Sequence, residues 1–275
     1  MSSARTAFVL GGGGVLGAVE VGMLRALFEA DLRPDLVLGT SVGALNGALV
    51  AQDPTPGVVE RLVGLWRSAS DNEVYADSAV RQVRRALRTG THLHSSRPLR
   101  ERLAAELGDV TFEELAVPFQ CCAASIERAG EHWFSSGRVV DAVVASAAVP
   151  GLFPPTEVDG EHFLDGGIVN SIPVGRAVDL GANRVFVLQV GRVDRPLSVP
   201  RRPWEVARVS FEIARRHRFH REMNELPTDI EAHVLPTGGG SARDDSLLAY
   251  RDFTKVEARI DAAYDATRSY LEERL

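Results

Sequence analysis

The sequence predicts a three-layer α/β/α fold on a mainly parallel central sheet, and three observations carry that reading. Short apolar runs of strand length alternate with stretches of helical periodicity, the pattern that covers a parallel sheet on both faces. Two of these runs end in glycine-containing turns that pass straight into helical sequence. The 275 residues are 45% hydrophobic and 25% charged, near the globular average, without an apolar run long enough to span a bilayer. A single domain is expected over 1–275, with a motif-bearing core over about 7–190 and a C-terminal strand and helices over 200–275 packed on it.

The elements follow from local pattern. Ala7-Phe8-Val9-Leu10 reads as a buried strand stopping at Gly11 to Gly14. Val21, Leu24, Leu27 and Phe28 then keep helical period until Pro34 forbids its continuation. Leu36-Val37-Leu38 is a second strand, which runs through Gly39-Thr40-Ser41-Val42-Gly43 into a small-residue helix over 44–51. Between Pro54 and Arg102 the pattern is polar and arginine-rich, as peripheral helices or a cap would be.

Strands are expected over 119–126 and 132–135, then a helix from Val139 that halts at Pro150. Asp159-Gly160 carries a hairpin signal, and the returning strand His162-Phe163-Leu164 delivers Asp165 to its end. A helix from Pro173 towards Gly181, strands over 185–188 and 231–235, and an amphipathic helix through Val256, Ile260, Tyr264, Thr267 and Leu271 complete the chain.

Composition excludes several functions. The net charge of −6 repels phosphate backbones, so nucleic acid is not an expected partner. Arg81, Arg84, Arg85 and Arg88 are spaced like a solvated helix face. Cys121 and Cys122 are adjacent and would point to opposite faces of a strand, a poor geometry for a disulfide. The apolar stretch near Arg5 fails as a secretory signal, since four glycines and Glu20 interrupt it. The expected location is the cytoplasm, with a transient membrane-surface contact as a secondary expectation.

Three glycine-bearing motifs carry the chemistry. Gly39-x-Ser41-x-Gly43 between strand and helix would hold a serine hydroxyl exposed on a sharp turn at a helix N-terminus. The same residues would also serve as a serine N-cap between two packing glycines. Gly11 to Gly14 can turn several N–H groups toward one point, as an oxyanion requires. Gly12-x-Gly14-x-x-Gly17 also fits a dinucleotide fingerprint, but the acidic residue that should end the second strand is missing, Asp35 standing before it. Asp165-Gly166-Gly167 is, taken by itself, a turn.

In that order the three motifs resemble the patatin-like phospholipase family. The stretch from Ala145 to Pro155 and Asn170-Ser171-Ile172-Pro173 extend the resemblance, which covers about Ala7 to Val190. It implies a lipid acyl hydrolase with Ser41 as nucleophile, Asp165 as base, Gly12, Gly13 and Gly14 as the oxyanion loop, and neither metal nor organic cofactor. Gly39, Gly43, Gly166 and Gly167 are then elbow and turn glycines. The substrate implied is a fatty-acyl ester or lysophospholipid. One departure stands out: where the family usually has Arg or Lys two residues after its glycine triplet, this chain has Leu16. Loss of that cation points to neutral esters or lysolipids, and suggests as the alternative a lipid-binding or regulatory protein with little turnover.

His217, His220 and His233 follow Ser41 and Asp165 in the order of a conventional triad, but the glycine loop and the serine bracket a single helix, unlike the enzymes that use one. His92 with His94, and His217 with His220, lack further ligands at metal spacing. Trp204 to Met223 mixes apolar and cationic residues; its apolar stripe is expected to pack on the body with the arginines solvated, and lipid contact is the second reading.

Overall fold

The computed structural model describes residues 5–71, 92–191, 193, 196–239 and 255–275. The arginine cluster from Arg81 to Arg88 lies outside them. In chain order the elements are β1 (Thr6–Leu10), α1 (Ala18–Glu29), β2 (Leu36–Thr40), α2 (Val42–Gln52), α3 (Gly57–Asp71), α4 (Arg97–Leu107), β3 (Phe119–Ser125) and β4 (Gly130–Phe134). They continue with α5 (Val139–Ser146), β5 (Thr156–Val158), β6 (Glu161–Asp165), α6 (Val174–Asp179), β7 (Arg184–Leu188), α7 (Pro203–Asn224), β8 (Glu231–Val234) and α8 (Val256–Arg274).

The described strands join one mixed sheet in the order β5-β6-β3-β2-β1-β7-β8, with β4 on β3. From β3 through β2, β1 and β7 to β8 the pairings are parallel, and β4, β5 and β6 enter antiparallel. The parallel body comes from helical crossovers, and the antiparallel end from the hairpin at Asp159-Gly160, where Asp159 and Gly160 both have positive φ.

Side-chain alternation on β1 builds the three layers. Phe8 and Leu10 enter the larger core with α1, α2, α5 and α8, while Ala7 and Val9 face a smaller one with α6 and Phe219 of α7. Both cores hold fully buried aliphatic side chains. Cys121 and Cys122 are buried and unbridged. Among the described residues no helix is long and apolar enough to cross a membrane.

The terminal helix α8 buries Val256, Ile260, Ala263, Thr267 and Leu271, the expected face except that Ala263 is buried in place of Tyr264, which is half-buried. It lies so close to α1 that a Cβ at Gly22 would fall 2.1 Å from the Ile260 carbonyl oxygen. Gly22→Ala is therefore expected to lower stability by about 1–3 kcal/mol through overpacking. Urea denaturation reads the effect, and an unchanged midpoint would contradict this close approach.

Candidate active site

Ser41 is the single residue between β2 and α2, with φ 56° and ψ −120°. A non-glycine residue there holds strain of about 1–3 kcal/mol, maintained only where the surroundings fix it. The flanking glycines fix it by close packing. A Cβ at Gly39 would lie 2.4 Å from the Gly43 carbonyl oxygen, and one at Gly43 would lie 2.3 Å from that of Leu10.

Asp165 reaches Ser41 through the register of β3. Cys121 and Cys122 pair with β4 on one edge and β2 on the other; Ala123, Ala124 and Ser125 pair with β4 and β6. β2 and β6 therefore share one edge of β3 end to end. Because β2 is parallel and β6 antiparallel to β3, their C-terminal ends meet, Thr40 opposite Cys122 and Asp165 opposite Ala123. Ser41 Oγ donates to Asp165 Oδ2 at 2.6 Å. The Gly167 N–H donates to Oδ1 at 2.7 Å. A Cβ at Gly166 would fall 2.1 Å from the Cys122 carbonyl oxygen, so this turn tolerates no side chain there. Burial raises the Asp165 carboxyl, against the opposing bonds from Ser41 and Gly167, to a pKa of about 6.

A residue without an assigned role in the sequence completes the junction. Ser146, fully buried at the end of α5, accepts the Ser41 N–H at 2.9 Å and donates to the Cys122 carbonyl at 2.6 Å. It ties the strained serine to the point on β3 where β2 gives way to β6.

The glycine loop divides in two. Gly11 N–H donates to the Leu188 carbonyl and Gly12 N–H to that of Ser171, each at 3.0 Å. Gly13 and Gly14 N–H have no such partner among the described residues, and Gly14 opens the short 3-10 turn Gly14–Gly17. A Cβ placed on Gly12 would lie 3.3 Å from Ser41 Cβ, so the loop passes directly beside the hydroxyl.

A cavity of about 130 Å³ opens at Ser41 and Gly14 and is walled by Leu45, Leu49, Leu103, Val143 and Phe153, among others. Leu16 does not line it. That residue is buried with the larger core, so its own side chain offers no contact to a substrate in the cavity. His217 and His220 are exposed. His233 bonds Tyr270 and Glu231. Among the described residues no histidine is bonded to Asp165, both of whose oxygens are engaged by Ser41 and Gly167.

The expected packing of residues 204–223 is also corrected. Val209 and Phe219 are buried, but so are Glu212 and Arg215, while Val206, Phe211 and Ile213 are exposed. Beside Val209 and Phe219, the inner face of α7 meets the loop carbonyls of Val169 and Val190, which take arginine N–H donors.

A profile of the patatin-like phospholipase family matches residues 8–178. The chain belongs to this family. Patatin-like phospholipases are lipid ester hydrolases, and the Ser41–Asp165 contact lies inside the matched stretch. Among relatives, Lysophospholipase nte1 of Aspergillus terreus and that of Emericella nidulans are each 34% identical over 194 residues, 68% of this chain and 12% of theirs. The chain thus spans about an eighth of the curated relatives it matches. Of solved structures, VipD from Legionella pneumophila superposes with TM-score 0.47 and 14% identity, covering 98% of this chain and 67% of that one. ExoU of Pseudomonas aeruginosa, solved with SpcU, gives 0.47 and 17%, over 99% and 53%.

Ser146→Ala removes one hydroxyl and leaves the Ser41 N–H and the Cys122 carbonyl without it. Loss of about 1–3 kcal/mol of stability is expected from the orphaned groups, together with a fall in kcat of about tenfold as Ser41 loosens, KM changing little. Steady-state kinetics on the folded variant would refute this role by returning the wild-type kcat.

Proposed function

We propose that the protein hydrolyses acyl esters of single-chain lipids, fatty-acyl esters or lysophospholipids, with Ser41 as nucleophile and Asp165 as its general base. The 2.6 Å bond between Ser41 Oγ and a buried Asp165 carries the reading. A carboxylate near pKa 6 accepts a serine proton more readily than one at the ordinary 3.8, yet is ionised at neutral pH.

Ser41 Oγ bonds to the ester carbonyl carbon while its proton passes to Asp165 Oδ2. The carbonyl electrons move onto oxygen, and the N–H groups of Gly13 and Gly14, with the N-terminal end of α2, stabilise that negative charge. Collapse breaks the bond to the leaving alcohol, which takes the proton from Asp165. Water then attacks the acyl-enzyme, gives its proton to Asp165, and releases the fatty acid as Ser41 Oγ regains the proton. Gly12 acts differently, since its N–H is held by Ser171. No metal or organic cofactor enters these steps.

The apolar cavity beginning at Ser41 is the place for one acyl chain, its walls supplying aliphatic contact along α2, α4 and α5. The word lysophospholipase in the names of the relatives agrees with a single-chain substrate. Exposed Ile168 follows Gly167 in the chain and exposed Phe211 packs beside Gly167 from α7, and we assign these two a peripheral contact with the lipid surface. The alternative that the missing cation suggested, a lipid-binding or regulatory protein with little turnover, would leave Ser41 unreactive.

Ser41→Ala, Asp165→Asn and the double variant are expected to fall to nearly the same low activity on a lysophospholipid and on a neutral fatty-acyl ester, because the two residues act as one unit. A fluorophosphonate probe should label the wild type at Ser41 only. Independent, additive losses, or an unlabelled Ser41 in folded protein, would overturn the assignment.

A further inference from the structure

We infer that Arg215 of α7 is a positioning residue for the glycine loop, reaching it from outside the stretch that the family profile matches, an inference that rests on the hydrolase reading above. Arg215 is 6% exposed, an unusual state for a guanidinium, which loses strong hydration on burial. Such burial persists only where hydrogen bonds replace the lost water. Its acceptors identify what it holds. Nε donates to Ser171 Oγ at 3.1 Å and Nη2 to the Val190 carbonyl at 2.6 Å, while Nη1 lies 3.5 Å from Glu212 Oε2.

Ser171 and Val190 are the two walls of the glycine loop. The Ser171 carbonyl accepts the Gly12 N–H, and its Oγ lies 3.3 Å from where a Cβ on Gly12 would stand. On the other side Val190 packs so tightly on Gly13 that a Cβ there would fall 2.0 Å from Cγ2. One planar guanidinium thus bridges the segment after β6 to the segment after β7, with the loop held between them. The N–H groups of Gly13 and Gly14 are aimed by this frame. Their direction matters steeply, since a displacement of about 1 Å in a reacting geometry costs on the order of a hundredfold in rate.

The arrangement separates kcat from KM. Among the described residues none of α7 lines the cavity at Ser41, which is formed from α2, α3, α4, α5 and adjoining loops. Loosening the bridge therefore weakens transition-state stabilisation and leaves acyl-chain binding in place. A charge without the fork does not suffice: a lysine ammonium at this site reaches one of the two acceptors but does not span both.

The test compares Arg215→Met, Arg215→Lys and Ser171→Ala with wild type, using a soluble fatty-acyl ester and the rate of fluorophosphonate labelling of Ser41. Arg215→Met is expected to lower kcat about tenfold or more with KM within about twofold, and to slow labelling in parallel. Arg215→Lys should fall with it, and combining Ser171→Ala with Arg215→Met should add little to the loss. If Arg215→Met does not fold, Ser171→Ala, which removes one hydroxyl, carries the test through a several-fold loss of kcat at unchanged KM. Wild-type kcat in folded Arg215→Met, full activity in Arg215→Lys, or a rise in KM alone would overturn the bridge while leaving the hydrolase reading intact. A wild-type protein whose Ser41 takes no label would overturn both.

Discussion

Cys122 and Ala123 mark the place on β3 where one neighbouring strand ends and another begins. β4 occupies one edge of this stretch, so β2 and β6 must follow one another along the other edge. Each strand ends at the junction, and each places its next functional group there: the turn at Ser41 and the carboxylate of Asp165. Residues 124 positions apart in the chain are thus held at hydrogen-bond distance by backbone pairing, before any side-chain contact contributes. The junction also leaves the Cys122 carbonyl and the Ser41 amide needing partners, and Ser146 satisfies both.

The proposed chemistry rests on the dryness of that junction. Water is largely excluded from Asp165, and burial destabilises its ionised form; the two donors it retains keep it from going fully neutral. A carboxylate exposed to solvent would hold its proton more weakly, and one buried without the bonds from Ser41 and Gly167 would be pushed up further. The strain in Ser41 belongs to the same design, because its conformation aims Oγ at Asp165 and its amide at Ser146.

Much of this was legible in the sequence because turns with demanding backbone geometry require particular residues. Gly39, Ser41 and Gly43 announce an elbow, and Asp159-Gly160 announces the hairpin that returns Asp165. What joined them was not legible from spacing, since the register of β3 is set by pairing between distant segments. The family resemblance supplied that link. Ser146 and Arg215 were given no role for a related reason: a serine in a small-residue helix and an arginine among arginines carry no periodic signal, and the groups they join lie far away in sequence. Leu16 was legible as a departure from the motif but not as a core residue, since nothing in its spacing shows that the helical turn rotates it inward.

The central claim is that a buried aspartate, not a histidine, takes the proton from Ser41. The pH dependence of kcat/KM, followed at several temperatures, tests it most directly. The account predicts an acid limb at a pH of about 6, activity being present above it and lost as Asp165 is protonated. Its midpoint should scarcely move with temperature, as carboxyl ionisation has a small enthalpy. A midpoint that falls steeply on warming, as an imidazole's does, would contradict the account, as would activity undiminished down to about pH 4, where an ordinary aspartate titrates.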